Sequence, residues 1–128
     1  MITEDYVSFE VAKLLKDKGF DAECLGTYST GDKELSISSE CPYSNDLNDD
    51  MFIAAPTLQM AIKWFREIHD KNIVLDMVSL DEDCYVLWTY NVYCNKNYKI
   101  MWGPKQPKYN TYEEACEEAI KYCLEHLI

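Results

Sequence analysis

The sequence predicts an α+β fold, an antiparallel sheet of about five strands in the order α-β-β-α-β-β-β-α with helices packed on one face. Three observations predict it. Three segments repeat apolar residues at three- and four-residue spacing, the signature of amphipathic helices. The segments between them alternate apolar and polar residues and are joined by short turns, as antiparallel strands are. The order is helix, two strands, helix, three strands, helix, and antiparallel strands with separate helices argue for α+β. At 128 residues the chain reads as a single domain, 1–128, large enough to bury roughly two-thirds of its unfolded surface.

The first helix is expected over residues 8–17, with Val7, Val11, Ala12, Leu14 and Leu15 as its buried stripe. Gly19 is placed to end it in the left-handed conformation, and Phe20 returns to the core. Strands follow at 22–29 and 34–38 around the turn Thr30-Gly31-Asp32-Lys33. Residues 39–56 show no sustained period. A loop this long carries function, moves, or conceals a short element.

Thr57 opens the second helix, whose buried side is Leu58, Ala61, Ile62, Phe65 and Ile68. Trp64 either broadens that side or lies half exposed. Three strands come next. Residues 73–80 lead to the turn Asp81-Glu82-Asp83, 84–94 alternate cleanly, and Tyr98, Ile100 and Trp102 share a face on the return strand. The last helix is written most plainly. Thr111 and Glu114 have the spacing of a capping box, and Tyr112, Ala115, Cys116, Ala119, Ile120, Cys123 and Leu127 form one stripe opposite Glu113, Glu117, Glu118, Lys121 and Glu125. The two halves echo each other as strands followed by a Thr-capped helix, without the identity that would make a repeat.

Charge narrows the function classes. Twelve Lys and Arg stand against 23 Asp and Glu, a net charge of −11. Such a surface repels nucleic-acid phosphates and anionic lipid, so direct binding to nucleic acid or membrane is not expected. It serves solubility, or it imitates nucleic acid toward a protein that binds it. No apolar run approaches the length of about 20 residues that spans a bilayer, and Met1–Glu10 lack the basic and apolar regions of a secretory signal. The expected address is the cytoplasm, where six cysteines stay reduced.

Motifs for catalysis are missing. No C-x-x-C pair, phosphate-cradling glycine loop or nucleophile elbow occurs, so no cofactor and no metal are expected. Asp46, Asn48 and Asp50 match the first calcium-ligand positions of an EF-hand. Met51 then stands where a Gly is required and Thr57 where a Glu is required, so an Asx-rich turn is the better reading. Lys96, Lys99, Lys105 and Lys108 form the one basic stretch, interleaved with Tyr98, Trp102 and Tyr109. Such a pattern can stack bases. Strand spacing assigns Tyr98 and Trp102 to the core, and the lysines to the guarding of an edge strand.

The segments EDYVSFEVAKLLKDKGFD, AAPTLQMAIKWFREIH and TYEEACEEAIKYCLEHLI resemble a family of small acidic uncharacterised proteins from Bacteroides-type gut bacteria and their phages and mobile elements. The resemblance implies an origin and no reaction. The expectation is a non-enzymatic protein-interaction module. Its partner site is expected at Tyr43, Asp46, Asp49 and Asp50, an aromatic anchor among carboxylates on the 39–56 loop. One alternative is an acidic nucleic-acid mimic that inhibits a host defence or DNA-handling protein. Another is a small hydrolase using the same loop. A homo-oligomer through an edge strand is also open.

Overall fold

The computed structural model describes residues 1–47, 49–79 and 85–128. Asn48, Leu80, the Asp81-Glu82-Asp83 turn and Cys84 lie outside the described residues. The fold is α+β: three α-helices pack against antiparallel strands. The element order is α1 (Phe9–Asp17), β1 (Gly26–Ser29), β2 (Leu35–Ile37), β3 (Phe52–Ala55), α2 (Leu58–Ile68), β4 (Lys71–Ser79), β5 (Val86–Cys94), β6 (Ile100–Trp102) and α3 (Tyr112–Tyr122). A π-helical turn, Cys123–Leu127, continues α3.

The expectation of one sheet of about five strands is corrected in detail. The described strands number six, in two three-stranded sheets, β2-β1-β3 and β4-β5-β6. The additional strand is β3, inside the stretch that carried no period. It is only four residues long, and three of them are buried, so it shows no alternation to read. The echo between halves is also clearer: each is three antiparallel strands followed by a Thr-capped helix. The strand orders differ, β1 being central in one sheet and β5 in the other.

Each helix starts on a side-chain cap. Ser8, Thr57 and Thr111 accept from the backbone N–H of Val11, Met60 and Glu114, each satisfying an amide with no partner inside the helix. In the last case the return bond of the capping box is displaced by one residue: Glu114 Oε2 accepts from the Asn110 N–H at 3.0 Å. Gly19 ends α1 at φ +89°, as placed.

One buried cluster joins the elements, with Val7, Leu15, Phe20, Phe65, Ile120 and Leu124 among its members. α1 lies against β3, α2 against β4 and α3 against β5, while α3 also touches α1 and α2. Trp64 broadens the buried side of α2. Ile68 does not belong to that side; it is 63 % exposed in the last turn of the helix. Beyond Tyr122 the wider π turn shifts the stripe, and Leu124 falls into the core beside Cys123.

The return strand also differs from its spacing. A register shift pairs Tyr93 with Ile100 but Val92 with Trp102. Cross-strand partners share a sheet face, so Trp102 stands with Val92 toward α3 and Ile100 with Tyr93 on the opposite face. Tyr98 precedes the strand at φ +58° and is 84 % exposed, not core.

Candidate binding cleft along the last helix

The cleft begins where β6 leaves its sheet. At Gly103 a side chain would displace the Asn91 carboxamide and crowd the Tyr90 carbonyl, so glycine lets the backbone pass close with neither having to shift. Pro104 and Pro107 have no amide hydrogen to give to β5, and the chain between them swings outward. It returns at Tyr109, which exchanges backbone hydrogen bonds with Trp88 at 2.7 and 3.1 Å. Residues 103–108 thus form an arm held at both ends.

Between this arm and α3 lies a cleft of ≈ 740 Å³. Aromatic rings line it. Trp102 lies flat on Tyr122, centroids 4.5 Å apart and planes 8° apart, and its Nε1–H donates to the Tyr90 hydroxyl at 3.2 Å. Tyr109 stacks on Tyr90 at 6.1 Å, and His126 lies 4.6 Å from Tyr122. Burial pushes the Tyr90 hydroxyl up to about 12, against the opposing pull of the Trp102 hydrogen bond, so it stays a neutral wall group. Lys105, Lys108, Lys121, Glu118 and Glu125 stand at the mouth. Lys108 Nζ sits 5.4 Å over the Tyr109 ring, and Lys121 is paired to Glu10 at 3.1 Å.

A second depression, ≈ 620 Å³, meets the first at Tyr109 and Glu118. It is lined by five carboxylates, Asp5, Glu113, Glu114, Glu117 and Glu118, with Tyr6, Ser8 and Leu58. Among the described residues none of these five is in an ion pair. Glu117 Oε1 accepts from the Ser8 N–H at 3.1 Å, where α1 begins. Burial nonetheless raises its carboxyl above the usual range, with Glu118 and Glu10 adding repulsion that the Ser8 hydrogen bonds offset only in part. The two depressions follow α3 and its π turn from Glu113 to His126. One end is acidic; the other is aromatic, with both lysines and glutamates along its lining.

The expected site on residues 39–56 is built differently. Tyr43 bridges Cys24 through two 2.8 Å backbone bonds, donates its hydroxyl to the Phe52 carbonyl at 3.2 Å, and packs edge-on against Phe52. Asp49 Oδ1 accepts from the Met51 N–H at 2.8 Å, and its carbonyl accepts from Lys16 Nζ. The Asp49 charge also bears on the Tyr43 hydroxyl, so these two stand together. Asp46 and Asp50 are exposed, Asp46 on a short 3-10 turn, Asn45–Leu47. Asn45 fixes that turn by donating to the Phe20 carbonyl and accepting from the Ala54 N–H. The segment is tied down at these points, and Tyr43 is partly buried against the core.

Sequence reasoning named Lys105, Lys108, Trp102 and Tyr109 together but assigned the lysines to a strand edge and Trp102 to the core. The available signal was the pair of prolines, which bars 103–108 from a strand. Lys96 pairs instead with Asp70 at 3.5 Å.

The cysteines are packing residues wherever buried. Burial pushes Cys24 and Cys116 up to about 11 and Cys123 up to about 12, so each stays a protonated thiol near neutral pH. Among the described residues no three His, Cys, Asp or Glu side chains come together as a metal site. No described helix is long and apolar enough to cross a membrane. Comparison with family models, with curated proteins and with solved structures returns no match.

Proposed function

We propose that this protein is a non-enzymatic interaction module whose working surface is the channel beside α3. Its ligand is an extended segment of a partner protein, with basic residues seated in the acidic half. The observation that carries this reading is the row of five carboxylates with no ion pair among the described residues, opening directly into an aromatic cleft. Carboxylates gathered in a concave surface attract and orient cations. Aromatic rings beside them supply the contact area that dominates interface energy. α3 and its π turn run 16 residues, about 24 Å, which matches an extended segment of roughly seven residues. Cytoplasmic residence suits the five cysteines among the described residues, which all stand as free thiols. Origin in a phage or mobile element rests on the family resemblance alone.

A nucleic-acid-handling protein offering a basic loop is one partner of this kind, so mimicry is a special case of the same chemistry. The test is selection from a random displayed-peptide library, followed by binding to Glu113→Lys and Glu118→Lys variants. Recovered peptides should carry two or more Lys or Arg, should bind less as salt rises, and should lose affinity for both variants while the fold persists. Peptides without basic residues, or binding indifferent to both charge reversals, would refute the reading.

A further inference from the structure

Four strands end a sheet: β2, β3, β4 and β6. β2, β3 and β6 are three or four residues long, and β6 carries the register shift beside Lys99. Short length, bulges and lysines are the devices that keep sheet edges from pairing with other chains. β4 is neither short nor bulged, and its one lysine, Lys71, stands at its first residue. Its nine residues, Lys71–Ser79, run in unbroken register with β5, contain no Gly or Pro, and include only two charges, Lys71 and Asp76. Among the described residues no strand pairs with its outer edge. Its side chains alternate. Ile73, Leu75 and Met77 stand with Val92, Tyr90 and Trp88 on the face toward α3; Asn72, Val74, Asp76 and Val78 stand on the other. Val74 and Met77 are exposed apolar residues, 40 % and 61 %.

We propose that β4 pairs with β4 of a second copy of this chain. The strands run antiparallel about a two-fold axis through Val74, making a six-stranded sheet β6-β5-β4-β4-β5-β6. An axis perpendicular to the sheet keeps each face continuous across the junction, so odd positions meet odd and even meet even. With Val74 opposite itself, Asn72 faces Asp76 of the other copy, and Ile73 faces Leu75. An amide donor meets a carboxylate twice, branched apolar side chains meet each other, and no like charges oppose. Moving the axis to Leu75 sets Asp76 against Val74 and Asn72 against Val78, which spoils both polar pairs. The polar pattern thus selects one register. This interface uses neither depression beside α3 and stands or falls independently of them.

The test combines sedimentation with cross-linking of the full chain. The wild type should sediment at twice the 15.0 kDa chain mass at high micromolar concentration. Val74→Lys, which sets two ammonium groups face to face on an exposed edge position, should sediment as a folded monomer. In a Cys41→Ser background, Val74→Cys should form a disulfide-linked dimer on mild oxidation, far more than Val78→Cys or the background alone. A monomeric wild type would overturn the proposal. So would a dimer that survives Val74→Lys, or one that cross-links equally through positions 74 and 78.

Discussion

Trp102→Ala is the perturbation that separates this account from the simple strand-period reading of residues 98–102. Trp102 is 37 % exposed. A covered tryptophan buries about 200 Å², so about 125 Å² is withdrawn from water here, worth about 3 kcal/mol at about 25 cal/mol per Å². The flat stack on Tyr122 adds about 1 kcal/mol. Truncation also strips the buried Tyr90 hydroxyl of the Trp102 donor. The expected loss is about 4 kcal/mol, a large share of the about 5–15 kcal/mol that holds a domain together. Ile100 is 60 % exposed on the opposite face, so Ile100→Ala should cost about 1 kcal/mol or less. Urea denaturation followed by circular dichroism measures both, with unchanged slope and a shifted midpoint. Equal losses for the two variants, or a larger loss for Ile100→Ala, would refute the register shift and the cleft wall it creates.

Four further outcomes follow from the same structure. Ala119→Glu puts a charge at a wholly buried position of α3 and should cost several kcal/mol or prevent folding, read by thermal melting. Thr57→Ala and Thr111→Ala each remove a helix cap and should each cost about 1 kcal/mol in the same assay. Glu117 has its carboxyl raised by burial, so the stability it contributes is full below the ordinary 4.5 and is lost as pH rises through the folded value. Glu117→Gln should therefore raise the melting temperature at pH 7 relative to wild type and flatten that stretch of the pH profile. His69 behaves oppositely: burial, with Lys71 and Lys18 nearby, lowers it below 6.5, so stability should fall as pH drops from 6.5 toward the folded value, and His69→Gln should blunt that fall.

The helices were legible in the sequence because each carries its own start signal and a stripe of about a hundred degrees. Ser8, Thr57 and Thr111 all cap where they stand. β4 and β5 were legible because nine-residue strands leave room for alternation. β3 was not, being short and buried nearly throughout. The register shift at Val92/Tyr93 was not legible either, since it depends on a partner strand and not on local period. The cleft is a tertiary feature of the same kind. Its residues come from β5, β6, the 103–108 arm and α3, and nothing in their spacing says that they meet. The acidic depression was half visible: the glutamates of α3 were read as one outer face, but Asp5 joins them only because the chain before α1 pairs beside Thr57. Tyr43 illustrates the converse. An aromatic residue in a polar loop reads as an anchor for a partner, and its spacing does not tell that its hydroxyl and backbone are both bonded within the chain.

The central claim is that the channel beside α3 receives a basic segment. The most direct measurement is a backbone-amide NMR titration of the ¹⁵N-labelled full chain with a synthetic peptide of alternating Lys and Phe. Shift changes should saturate, weaken with added salt, and cluster at residues 5–8 and 109–126, with little change at 43–50. Changes concentrated at Tyr43, Asp46, Asp49 and Asp50, or scattered evenly over the acidic surface, would contradict the account.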